Sequence, residues 1–240
     1  MRGLFVTGTD TGVGKTVLSA ALLAAINADG ETVRAYKPAV TGLDEPSETG
    51  WPADHELLGA AAGIAAEQVS PLRYGPAVSP LLAAELAGEP LTAETLVSTS
   101  SAVVREAQQA QATLIVEGVG GLLSPLAENF TVCDLAVSLR LPLLLAARPG
   151  LGTINHTLLT LQSARAAGLD VRAVVLTPWP EQPSRLEQSN LEAIRRFGFV
   201  ELDTLAQAGS PDVGELAQIG AALPWRRWLG DTLAAPVPAL

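Results

Sequence analysis

Short apolar runs of strand length alternate along this chain with stretches whose apolar residues recur every three to four positions. That alternation predicts parallel strands joined by covering helices. A first strand is expected over residues 4–7 and a helix over about 14–29, with Val17, Leu18, Ala21, Leu22 and Ala25 on one face and Gly30 as its stop. A second strand covers 32–36 and closes on Lys37-Pro38. Further strands are expected at 113–117, 142–147 and 172–177, with a short one near Val200. Helices are expected at 55–62, 80–87, 93–111, 153–167 and 186–197, and Pro71, Pro76, Pro80 and Pro90 punctuate the stretch between the first three of these. A polar connection over 41–54 carries Pro46, Gly50 and Pro52. A loop that long inside a compact domain is usually functional or disordered. The pattern fades after about residue 200, and 234–240 should fray. No repeat and no linker is visible. The expected architecture is α/β: one domain over 1–240, with a mostly parallel sheet flanked by helices.

Composition narrows the function. Hydrophobic residues make up 48% and aromatics only 4%, an Ala- and Leu-rich interior that suits helices on a sheet better than a β-sandwich. A net charge of −10 repels nucleic acid and anionic membranes, so neither is an expected partner. Cys133 is the sole cysteine, which leaves no intrachain disulfide and no thiolate metal cluster; it reads as a small buried side chain. The longest apolar run, 141–147, is too short to span a bilayer and contains Pro142. With the first strand starting almost at once and no signal peptide before it, a soluble cytoplasmic protein is expected.

The strongest chemical signal is Gly8-Thr9-Asp10-Thr11-Gly12-Val13-Gly14-Lys15-Thr16, running on to Val17 between the first strand and its helix. Strand, glycine-rich turn, then Lys and Thr at a helix start is the layout of a phosphate-binding P-loop. Gly12 and Gly14 let backbone N–H groups close on phosphate oxygens. Lys15 brings a mobile positive charge, Thr16 a hydroxyl for Mg²⁺, and the helix dipole adds to both. Gly8 lies six residues before Gly14, so Thr9 stands where the usual pattern has its first glycine. A nucleoside triphosphate is the expected ligand.

Four other segments fall at the same expected edge of the sheet. Glu117 ends a buried strand and is followed by Gly118, Val119, Gly120 and Gly121, where an open α/β sheet presents ligands. Glu117 can reach a metal held by Thr16. Lys37, at the end of strand two, adds a second cation, and Thr41 a hydroxyl. Asp54 closes the long loop; it could complete a hard-cation site with Thr16 and Glu117, by itself it reads as an N-cap for the next helix, and both can hold together. Gly150, Leu151, Gly152, Thr153 and Asn155 precede and open the 153–167 helix, an anion-receptive terminus with Thr153 as its cap, suited to a substrate carboxylate.

Together these segments resemble the dethiobiotin synthetase family. The resemblance rests on Val6-Thr7-Gly8-Thr9-Asp10-Thr11, Gly14-Lys15-Thr16, Tyr36-Lys37-Pro38, Val116-Glu117-Gly118 with Gly120-Gly121, and Leu151-Gly152 with Ile154-Asn155-His156. It covers about the first 180 residues; the odd glycine spacing is itself a family feature. It implies a P-loop NTPase fold and an ATP-dependent cyclo-ligase that makes dethiobiotin from 7,8-diaminononanoate and CO₂. It further implies Mg²⁺ on Thr16, Asp54 and Glu117, and Lys15, Lys37 and Thr11 as catalytic groups. Thr41, Gly118, Val119 and Gly120 would contact the substrate. Family members are homodimers with the substrate at the subunit interface, so the 150–155 segment would serve its carboxylate from there.

Two departures stand out. Position 12 is Gly where some relatives carry Glu, which removes one polar contact near the substrate. Thr177-Pro178 stands where some relatives place an Asn that reads the adenine amino group. A single hydroxyl and a proline without an N–H predict weaker base discrimination, so other nucleoside triphosphates should serve beside ATP. The main alternative is a partition or septum-positioning ATPase that switches protein partners, but those carry Lys where this chain has Asp10. A small-molecule kinase would want arginines in a closing lid; the Arg195-Arg196 and Arg226-Arg227 doublets come late and read as solvated or packing charges.

Overall fold

The computed structural model describes residues 1–45 and 50–230; Pro46 of the long connection and the 234–240 tail lie outside them. Its main sheet contains β1 (Gly3–Gly8), β2 (Val33–Tyr36), β3 (Thr113–Gly121), β6 (Leu143–Ala147), β7 (Val171–Trp179) and β8 (Glu201–Ala206). The strand order is β2-β3-β1-β6-β7-β8, and every neighbouring pair is parallel. A separate antiparallel pair, β4 (Pro125–Ala127) and β5 (Phe130–Thr131), follows β3. Every residue of β1 and of β6 is buried. Helices cover both faces of the sheet, so its central strands β1 and β6 are nearly continuous apolar runs, while the edge strand β8 carries Glu201, Asp203 and Thr204.

The helices are α1 (Lys15–Ala28), α2 (Asp54–Ala62), α3 (Ala66–Val69), α4 (Pro80–Leu86), α5 (Ala93–Gln109), α6 (Val132–Leu139), α7 (Thr153–Ala166), α8 (Arg185–Gly198), α9 (Val213–Ala221) and α10 (Trp225–Trp228). The expected helices are present within a few residues. The structure adds α3, α6, α9, α10 and the β4–β5 pair. Thr131 and Asp134 form a capping box at the start of α6, a signal legible in sequence. Asp212 likewise caps α9 through the Glu215 N–H.

Two expected caps are corrected. The N-cap of α2 is Ala53, not Asp54; Asp54 is the first helical residue, and Glu56 closes the turn by accepting the Ala53 N–H. Thr153 is the first residue of α7, whose N-cap is Gly152 at φ 90°. The left-handed glycine makes the turn, so Thr153 is already helical; its buried hydroxyl lies beside that of Thr157.

The segment 213–228, hard to read in sequence, covers α1. Ten of the fourteen α1 residues are buried, because α2 and α9 pack on the side that the sheet leaves open. The approach is close: a Cβ on Gly220 would sit 2.0 Å from the Ala21 carbonyl oxygen. Trp225 and Trp228 are buried in the same core. Arg227 pairs with Glu201, which also accepts the Trp228 indole N–H at 2.8 Å, and Arg226 pairs with Asp29. The second arginine doublet is therefore packing charge.

Candidate active site

The loop leaving β1 carries the phosphate-binding pattern, and its backbone takes the conformation that pattern needs. Gly12 and Gly14 have φ of 67° and 90°, a region costly for any residue with a Cβ. At Gly14 space is also missing, since a Cβ there would lie 2.8 Å from the Thr177 methyl. The Thr9 N–H donates to Ala146 of β6 at 3.0 Å, and the Thr11 N–H to the Asp10 carboxylate at 2.7 Å. Arg148 donates to the Thr11 carbonyl at 3.2 Å. Lys15 folds back over the loop, its Nζ donating to the Asp10 carbonyl at 2.8 Å. Burial lowers the Lys15 pKa to about 8, and the neighbouring Lys37 ammonium works in the same direction against Glu117 and Asp54.

Three other elements deliver the rest of the charge. Lys37 directly follows β2, its main-chain N–H donating to the Val69 carbonyl at the end of α3. Its Nζ, buried with 3% of the residue exposed, donates to Asp54 Oδ2 and Glu117 Oε1, both at 2.5 Å. Burial would lower the Lys37 pKa, but the two carboxylates outweigh it and raise the pKa. For Asp54, burial acts upward and the Lys37 ammonium downward; the ammonium wins and holds the carboxyl below its ordinary range. Thr16 donates its hydroxyl to Glu117 Oε1 at 2.9 Å. The other Glu117 oxygen, Oε2, is buried with no hydrogen-bond partner.

A buried carboxylate oxygen without a partner is costly. A hard cation bound between Thr16, Asp54 and Glu117 would satisfy it. Two carboxylates and a hydroxyl do not cage a cation alone, and among the described residues no group of three or more His, Cys, Asp and Glu gathers anywhere. Mg²⁺ commonly binds through one or two carboxylates, with water and phosphate completing its octahedron. The donor set fits it.

These groups open onto a cleft of about 740 Å³. Of the residues expected at the site, Thr11, Gly12, Gly14, Lys15, Thr16, Val17, Lys37, Thr41, Asp54, Val119 and Gly120 line it. Thr9 and Asp10 face a neighbouring cavity of about 460 Å³, beside Leu123 and Leu159. Val13 is in the core. Gly118 also faces inward, where a Cβ would meet Val132 and Phe5, so close packing explains that glycine. Thr177 is buried beneath Gly14, and Pro178 beside it is exposed. Gly150, Leu151, Gly152, Thr153 and Asn155 sit at the same sheet edge but outside the cleft, with Leu151 91% exposed.

The sequence reading missed the cleft's apolar wall, Trp51, Pro52, Val78 and Pro80, and the hydroxyls of Ser79 and Ser124. The wall is held by backbone pairing between two distant segments. Val40 N–H donates to Leu72, Tyr74 N–H to Val40, Gly42 N–H to Pro76 and Asp44 N–H to Gly75. Ser79-Pro80 reads as a helix start in sequence, and the structure shows Ser79 capping α4. Its nearness to Thr41 had no local signal.

A family model described as an AAA domain matches residues 2–219. The chain is similar to an ATP-dependent dethiobiotin synthetase from Anaeromyxobacter dehalogenans, at 42% identity over 99% of each chain. Similarity to the enzyme of that name from Mycobacterium sp. strain JLS is 38%, over 97% of this chain and 100% of that one. With the one from Bacillus subtilis strain 168 it is 36%, over 82% and 83%. Among solved structures, chloroplast FtsY from Physcomitrella patens is 13% identical with a TM-score of 0.49, matching 91% of this chain and 64% of its own, too loosely to bear on fold or function. With relatives this similar along nearly the whole length, the chain belongs to the ATP-dependent dethiobiotin synthetase family.

Proposed function

We propose that this protein uses ATP to carboxylate 7,8-diaminononanoate and close its ureido ring, giving dethiobiotin. The observation that carries the reading is the convergence of Lys15, Lys37, Thr16, Asp54 and Glu117 on one cleft, in a chain of this family. One substrate amine adds to CO₂ and loses a proton, giving a carbamate. A carbamate oxygen attacks the γ-phosphorus of ATP and ADP departs, leaving a carbamic–phosphoric anhydride. The second amine then attacks the carbonyl carbon, phosphate is expelled with loss of a further proton, and the ring closes. Because both amines belong to one molecule, proximity supplies much of that last step's rate.

Negative charge gathers on the carbamate and transferring phosphoryl group, so the protein's work is chiefly electrostatic. Lys15 would leave the Asp10 carbonyl for the outer phosphates. Lys37 and Thr41 would face the carbamate and γ-phosphoryl oxygens, with Thr11 beside them, and Val119 and Gly120 would bear on the substrate. Thr16, Asp54 and Glu117 would hold Mg²⁺, which when bound offsets charge on the phosphate oxygens. Lys37 helps keep the Asp54 carboxyl ionised for that purpose.

The same reading extends to assembly: one domain over 1–240, acting as a cytoplasmic homodimer. Among the described residues no helix is long and apolar enough to cross a membrane. Leu123, Leu151 and Leu159 are 63%, 91% and 54% exposed near the cleft edge, which supports a second copy there. The 150–155 segment would then bring the carboxylate seat that a single chain's cleft lacks. The full reaction tests the reading. Incubation with diaminononanoate, bicarbonate, Mg²⁺ and ATP should yield dethiobiotin by mass spectrometry, and the absence of product from folded protein would refute it.

A prediction about the nucleotide follows from Thr177 and Pro178. With Thr177 turned beneath Gly14 and Pro178 lacking an N–H, neither offers the two-sided amide that discriminates adenine. CTP, GTP and UTP are expected to support turnover within about tenfold of ATP, a spread of one modest hydrogen bond. Parallel assays with the four nucleotides decide it; exclusive use of ATP would show that another group reads the base.

A further inference from the structure

The turn between β6 and α7 is held from behind by a residue far away in sequence. Asn190, on α8, is 5% exposed, and its side-chain amide nitrogen donates to two successive carbonyls, Pro149 at 2.8 Å and Gly150 at 3.0 Å. A buried amide is unfavourable on a helix face unless its hydrogen bonds are made, and here the donor's partners are both in this one turn. The consequence for the turn follows from peptide planarity. In a trans peptide the C=O and the following N–H point in opposite directions. With the Pro149 and Gly150 oxygens drawn towards α8, the Gly150 and Leu151 N–H groups are aimed away from it, towards the exposed surface that bears Leu151. Gly152 then enters α7 at φ 90° as an N-cap without a side-chain cap; the Thr153 N–H turns back onto the Gly150 carbonyl at 3.3 Å, and the next first-turn amides, of Ile154 and Asn155, add to the donor set of the turn.

We propose that Asn190 is a positioning residue for substrate recognition: it orients the 149–152 turn so that its backbone N–H groups receive the substrate's carboxylate. This inference rests on the reading that the turn serves that carboxylate. Asn190 itself touches no substrate, being buried behind the turn, so its effect should be confined to what the turn binds.

The test uses the full chain with Asn190→Leu, similar in size without the donor, and Asn190→Asp, which sets a charged acceptor against two carbonyl oxygens. Circular dichroism verifies folding, and Asn190→Asp keeps the test open should the Leu variant fail to fold. The KM for diaminononanoate should rise about tenfold or more, the worth of hydrogen bonds to a charged group. The kcat should change less than about threefold, and ATP affinity should stay as in wild type. The decisive readout is the preference for diaminononanoate over the matching vicinal diamine that lacks the carboxylate. That ratio of kcat/KM values should collapse in both variants. If both substrates slow equally, or the ratio is unchanged, the role is only structural and the inference falls. If wild type forms no dethiobiotin at all, the functional reading fails first and takes this inference with it; an active wild type with an unchanged ratio in the variants sinks the inference alone.

Discussion

Replacing Lys37 by Met should lower dethiobiotin formation by about 10³-fold, the scale expected when one preorganised charge-stabilising group is removed from a reacting centre. Lys37 is the buried cation that binds Asp54 and Glu117 at once, and Met fills a similar volume without the charge. The same change should destabilise the fold. Glu117 is fully buried and would lose its ion-pair partner, a loss that costs about 3 kcal/mol when a buried pair is broken. Part of that cost should be recovered by Mg²⁺, because the cation would enter the space between the two carboxylates. Thermal melts with and without Mg²⁺ read the second effect, and turnover measured well below the melting temperature reads the first. Turnover like wild type would remove Lys37 from the reaction. A melting point unchanged by the substitution would mean that the ion pair is not formed in solution.

The second large effect concerns Lys15. Lys15→Met should abolish measurable turnover, a fall of about 10³-fold or more, and weaken nucleotide binding, while the fold survives, because among the described residues the Lys15 ammonium donates to a loop carbonyl and not across the core. A pH signature separates this from general damage. Burial places the Lys15 pKa at about 8 in the nucleotide-free protein, and the charged form is the one that pairs with phosphate. Above pH 8 free Lys15 loses its proton, so nucleotide binding must restore it. Affinity should therefore fall towards tenfold per pH unit above pH 8, with proton uptake on binding. Calorimetry at pH 8.5 in two buffers of different ionisation heat measures that uptake. Lys15→Met should abolish it; persistence of the uptake in the variant would assign the proton to another group.

How much of this could be read in advance depended on how local each signal is. The P-loop is contiguous, and Gly12, Gly14, Lys15 and Thr16 each have a sufficient reason within the loop and the helix it opens, to which the structure adds Thr177 against Gly14 and Glu117 on Thr16. Lys37 directly follows β2 and Glu117 was expected to end its strand; β3 in fact runs on to Gly121, but both residues lie towards the edge to which a parallel sheet brings its strand ends, so they too were legible. Asp54 was legible as a carboxylate near the site and misread as a cap, because one-residue helix boundaries are not determined by pattern. Trp51, Val78 and Ser79 were not legible. Their place in the cleft depends on pairing between residues 40–44 and 72–76, which no periodicity announces. Asn190 is a polar residue on a mostly polar helix, indistinguishable in sequence from its solvated neighbours.

The amino-acid sequence alone determined the strand–helix alternation, the phosphate loop and the short list of charged residues, because each follows from local sterics, periodicity or the chemistry of one side chain. Tertiary structure decided which of those charges touch. Lys37, Asp54 and Glu117 are separated by 17 and 80 positions from Lys37, and only the packing of β2, α2 and β3 sets them at bonding distance. It also decided that α1 is buried on nearly every side, since α9 and the two tryptophans close over it. Such contacts arise from the balance of burial and hydrogen bonding over the whole chain, and no short stretch of residues contains that information.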